Sequence, residues 1–136
     1  MLEGRDWRAK DGASSEELAK LQESAPASLP SRYLDLLTFG DGGEGPLAVN
    51  PFHFQLDPAT VVAETIRCGN HGQDDLDGFL IIGSNGGGEY IAFDTRGGAP
   101  WRVVTIDMVA GGNSAEVIAP DFDIFYDLIG LEAEAA

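Results

Sequence analysis

The run Gly83-Ser-Asn-Gly-Gly-Gly-Glu-Tyr-Ile-Ala-Phe-Asp94 constrains the fold more than any other part of this chain. It joins the apolar stretch 79–82 to a second β-prone stretch, 89–94. A glycine-rich loop that cradles phosphate runs into a helix, whose free N–H groups and positive end face the anion. Here the loop runs into Glu89, Tyr90, Ile91, Ala92 and Phe93, and no Gly-Lys-Ser/Thr follows. The loop therefore reads as the tip of a β-hairpin, with Gly83, Gly86, Gly87 and Gly88 supplying backbone geometry.

The rest of the chain supplies helices and further strands. Residues 1–12 are polar and weakly patterned and read as a loose arm. Ser14 and Glu17 have the spacing of a capping box ahead of Leu18 and Leu21, so a first helix starts there. A second opens at Pro30, with Tyr33, Leu36 and Leu37 on one face and Gly40 at its end. Asp41, Gly42, Gly43, Glu44 and Gly45 form a turn cluster. Leu47–Val49 reads as a short strand, and in the next one Phe52, Phe54 and Leu56 alternate with His53 and Gln55. The first three should point inward. Asp57-Pro58 should cap a third helix ending near Arg67.

Residues 70–78 form a polar loop bearing Asp74, Asp75 and Asp77. The stretch 79–82 is apolar on both faces and belongs near the centre of a sheet. A third strand runs from Trp101 to Asp107. A closing amphipathic helix opens at Pro120, with Phe122, Phe125, Tyr126 and Ile129 at i, i+3, i+4 and i+7. The whole is an α+β fold: one domain over residues 13–131, an antiparallel sheet with helices packed on one face, and a C-terminal amphipathic helix. Residues 132–136 form an acidic tail.

Three of these segments together resemble the SUKH superfamily, of fungal cell-wall-assembly regulators and bacterial immunity proteins. They are Leu29-Pro30-x-x-Tyr33-Leu-x-Leu36-Leu37 followed by Gly40-Asp-Gly-Gly43, the Gly83–Asp94 hairpin, and Ile118-Ala-Pro-x-Phe122-x-x-Phe125. The resemblance implies an α+β fold and a protein-binding role. Bacterial members bind and neutralise toxins, many of them nucleases; fungal members act as adaptors in signalling and wall assembly.

Charge agrees with a protein partner. The net formal charge is −15; residues 1–70 carry 11 acids and 6 bases, residues 71–136 carry 12 acids and 2 bases. Such a field repels nucleic acid and anionic membrane and speeds encounter with a basic protein. The expected partner is thus a basic protein, a toxin domain on the resemblance. Its expected contacts are Asp41, Glu44, Asp74, Asp75, Asp77, Glu89 and Asp94, with Tyr90 and Trp101 as aromatic anchors if exposed. Core packing is the competing place for Trp101. The alternatives are a regulatory or adaptor scaffold and a small-molecule-binding domain near Gly86–Gly88.

Enzymatic chemistry finds little support. There is no Gly-x-Ser-x-Gly elbow, and the two histidines lie in segments without a visible nucleophile. Cys68 is the single cysteine, so no intrachain disulfide forms. Cys68 and His71, with His53 as the other histidine, fall short of a zinc ligand set. No catalytic residue, metal or cofactor is expected. No apolar run approaches the roughly 20 residues of a membrane span, and the N-terminus lacks the apolar stretch of a signal peptide. The expected location is the cytoplasm, away from membranes.

Overall fold

Strand order across the sheet coincides with strand order along the chain. The computed structural model describes residues 1–133, apart from the His71 side chain. Among these residues seven strands form one antiparallel sheet: β1 (Arg8–Ala9), β2 (Gly43–Pro46), β3 (His53–Leu56), β4 (Phe79–Ser84), β5 (Glu89–Asp94), β6 (Arg102–Asp107) and β7 (Glu116–Ala119). Five helices accompany them: α1 (Ser15–Ser24), α2 (Ser31–Phe39), α3 (Ala59–Arg67), the short α4 (Gly69–Gly72) and α5 (Phe122–Tyr126). Two 3-10 segments, Asp74–Leu76 and Gly111–Ser114, complete the set. The α+β architecture read from the sequence is the one observed, with β4 fourth of seven and central.

Period-two alternation divides the sheet's side chains between two layers. Leu80, Ile82, Ile91, Phe93 and Val103 face the four longer helices and form the main core with Leu21, Tyr33, Leu36, Val62, Phe122 and Phe125. Its centre is aromatic. Tyr33 meets Phe93 edge-on at 5.3 Å between ring centroids, and Phe54 meets Phe125 at 5.1 Å. Such edge-to-face pairs add about 0.5–1.5 kcal/mol each beyond area burial. On the opposite layer Phe79, Ile81, Ala92, Val104 and Ile106 pack beneath Leu76. Asn70, at positive φ, holds this cover down by donating to the Leu76 and Phe79 carbonyls at 2.7 and 3.1 Å.

The caps follow the sequence in part. Ser14 and Glu17 make the reciprocal capping box of α1. For α3, however, Pro58 occupies the N-cap position and has no side-chain oxygen; the Ala59 N–H is instead bound by Asp41. The closing helix is shorter than expected. Asp121 caps it, accepting the Ile124 N–H at 2.8 Å, and after Tyr126 the chain turns so that Ile129 bridges Leu47.

Residues 1–12 are not a loose arm. Leu2 is buried, β1 pairs with β2 at Arg8↔Glu44 and Ala9↔Gly43, and the Asp6 N–H donates to the Gly130 carbonyl at 2.9 Å. The reason is Trp7. Gly43 and Gly45 sit two apart on one face of β2, and a Cβ on either would run into the indole, at 2.9 Å from Nε1 for Gly43 and 3.0 Å from Cε3 for Gly45. Two missing side chains thus make a flat seat for the ring, which reaches Phe54 at 5.7 Å. Of the 132–136 tail, Glu132 and Ala133 have no regular structure, and 134–136 lie outside the described residues.

Candidate functional site

An antiparallel meander brings alternate connections to the same end of the sheet. The β2–β3 connection (47–52), the β4–β5 tip (85–88) and the β6–β7 connection (108–115) therefore lie together. Asn85 organises the middle one: its Oδ1 accepts the N–H groups of Gly87 and Glu89 at 2.8 and 3.1 Å. Met108 N–H donates to the Gly88 carbonyl at 2.8 Å, joining two of the tips. The glycine run is a hairpin tip, as expected; Gly86 needs its positive φ of 78°, and Gly83 lacks a Cβ because Phe54 and the Gln55 carbonyl occupy that space.

This end of the sheet is acidic. Glu89 stands directly opposite Asp107 across the β5–β6 pair, and Glu116 opposes Thr105, one pleat away on the same face. None of the three carboxylates has an ion-pair partner among the described residues. The Asp107 carboxylate accepts the amides of Val109 and Ala110 at 2.8 and 2.9 Å, and these bonds, led by that from Ala110, hold its carboxyl below the ordinary range. Arg5, the base nearest the chain's last segment, is committed to the Tyr126 and Ile129 carbonyls at 2.7 and 3.1 Å.

A polar row crosses the uncovered half of the other layer. The register places Arg8, Glu44, Gln55, Ser84 and Tyr90 side by side on successive strands. Glu44 is its hub, accepting from Gln55 Nε2 at 3.0 Å and Arg8 Nη2 at 3.1 Å and lying 3.3 Å from His53 Nε2. The bond from Gln55, then that from His53, lowers the Glu44 carboxyl from its ordinary value. Beside the row is an open groove of about 520 Å³, lined by Arg8, Lys10, Gly43, Glu44, Gln55 and Asp57 among others. Its charged and amide groups suit polar binding.

The expected contact residues are thus dispersed. Asp41 caps α3, with Gly42 and Gly43 near the groove. Asp74, Asp75 and Asp77 lie over the covered layer; Asp75 accepts the Gly112 N–H at 3.1 Å and ties the two 3-10 segments together. Asp94 holds Arg96 through both carboxylate oxygens, at 2.9 and 3.0 Å, and Arg96 lies over the Phe79 ring. Tyr90 is partly buried beside the smaller core. Trp101 is 5% exposed and packs on Phe93 at 5.7 Å, so it offers no surface anchor. Cys68 is exposed, but its bond to Glu64 pushes the thiol up, away from the reactive thiolate. Among the described residues no three metal-ligating side chains converge, and no helix is long and apolar enough to cross a membrane.

Phe52 departs most from its expected place. The alternation with Phe54 and Leu56 put it in the core, yet it is 57% exposed and outside β3. The Asn50-Pro51 pair just before it is the turn signal that marks the departure.

Compared with known families, residues 12–128 match the SMI1 / KNR4 family (SUKH-1). No curated protein matches the chain.

Proposed function

The chain belongs to the SMI1 / KNR4 family (SUKH-1), and we propose on that footing that it is a non-enzymatic, cytoplasmic immunity protein that neutralises a basic toxin domain by direct binding. The family match over residues 12–128 carries the proposal, because the family's roles are immunity and regulation. The charge of −15 supports it: a toxin that handles nucleic acid presents cations, and an acidic inhibitor meets them with steered association. Of the carboxylates expected at the contact, Asp74, Asp77 and Glu89 make no ion pair among the described residues and are assigned to the partner. Asp41, Glu44, Asp75 and Asp94 serve local structure first.

The test is co-expression with candidate toxin domains, first among them any encoded beside the gene. Growth arrest relieved by this chain, together with a complex weakened by salt, is the expected result. Arrest that the chain leaves untouched rejects the proposal. The groove of about 520 Å³ favours a second reading, a bound polar metabolite; saturable thermal stabilisation by one compound would identify it.

A further inference from the structure

Among the described residues three non-glycine residues have left-handed backbone: Leu2 at φ 63°, Phe52 at φ 68° and Asn70 at φ 55°. That conformation crowds the Cβ against backbone and is worst for bulky side chains. Asn70 is a residue type that tolerates it, and its amide makes two buried hydrogen bonds in return. Leu2 is 7% exposed, so its burial offsets the strain. Phe52 has neither compensation. Its turn is closed by backbone alone, Phe52 N–H to the Val49 carbonyl at 2.7 Å and Leu47 N–H to the Phe52 carbonyl at 3.1 Å. Glycine or asparagine would make the same bonds with less strain, and without leaving an aromatic ring in water. With the ring 57% exposed, burial offsets little of that strain.

The surroundings give a reason for phenylalanine. Phe52 shares a shallow patch with Ala48 and the half-exposed Leu131. The floor is fixed: Ala48 N–H donates to the Leu128 carbonyl at 3.1 Å and Gly130 N–H to the Pro46 carbonyl at 2.8 Å. Asp127 and Glu132 flank the Leu128–Leu131 segment in exposed positions, and no base lines the patch among the described residues. Glu89, Asp107 and Glu116 occupy the same end of the sheet. An exposed aromatic on a hydrogen-bonded floor, with Asp127 and Glu132 flanking the segment beside it and further carboxylates along the same end of the sheet, has the composition of a binding hot spot for a cationic surface.

We infer that Phe52 is the anchor of a protein-binding surface at this end of the sheet, and that its occupant is a basic partner with an apolar pocket rimmed by Lys or Arg. The inference rests on the toxin-binding reading and adds the surface that performs it. The strain is then kept because the ring is needed outside rather than inside.

The experiment uses the full chain, takes as probe an inactivated form of the toxin domain that the co-expression test identifies, and pairs measurements of affinity and melting. Phe52→Asn should raise Tm by a few degrees and weaken the complex at least about thirtyfold. Phe52→Gly should weaken it likewise, and Phe52→Tyr, which keeps the ring, should hold affinity within about threefold. Unchanged affinity in Phe52→Asn overturns the inference and leaves the toxin-binding reading standing. No complex with the wild-type chain overturns both. A Phe52→Asn melt at or below that of wild type removes the argument from strain. Concentration-dependent dimers of the wild-type chain that Phe52→Asn abolishes would assign the ring to a second copy and also overturn it.

Discussion

The Asp41 carboxylate accepts the Ala59 N–H at 2.7 Å, so the first turn of α3 is capped by a residue just beyond the end of α2. Asp41→Ala should cost about 1 kcal/mol, as lost N-caps do, and Asp41→Asn clearly less. Urea denaturation measures both. Unchanged stability in Asp41→Ala would free this carboxylate for a role in partner contact.

The seat of Trp7 yields a second expectation. Gly45→Ala places a methyl against the indole and the Asp6 carbonyl, and overpacking of this kind costs about 1–3 kcal/mol. Amide exchange should quicken over residues 6–10 while the β4–β6 amides stay protected. Combined with Trp7→Ala, the loss should be far from additive, because removing the indole also removes part of the clash that the added methyl creates.

Glu89 and Asp107 are like charges directly across a strand pair. Like charges directly opposite one another are destabilising. Glu89→Gln should therefore stabilise the free protein at low salt, with the gain shrinking as ionic strength rises. The same change should slow association with a basic partner. A melt series in salt and a kinetic binding assay check the two halves.

Acid should weaken the fold through carboxylates held below their ordinary range. Asp94 is lowered chiefly by the Arg96 guanidinium, Glu44 by Gln55 and His53, and Asp107 by backbone amides. A group with a depressed folded pKa contributes fully above its unfolded value and loses that contribution as pH falls through the folded one. Stability should hold near neutrality and decline below about pH 4. In Asp94→Asn the acid limb of a Tm–pH curve should be shallower. An identical limb would mean that the Arg96 pairing adds nothing to the folded state.

The glycine hairpin, the central place of β4 and the packed face of α2 were legible because period-two and period-3.6 patterns are local. Trp7 was not: its seat is made by Gly43 and Gly45, whose spacing carries meaning only once β1 lies beside them. Asp41 read as a surface acid because its partner is distant in sequence. Phe52 was misplaced because it continues the alternation of Phe54 and Leu56, while the turn before them delays the start of the strand to His53. Core packing of Trp101 was already one of its two readings from the sequence, but Phe93, on which it packs, is linked to it by no local pattern.

Among the described residues every strand pairs within the sheet only with its neighbours in chain order. A rewritten tip therefore acts first on the two strands it joins, and beyond them through single bonds such as that from the Met108 N–H to the Gly88 carbonyl. A surface built on these tips could change one connection at a time while the strand pairing that folds the chain stays the same.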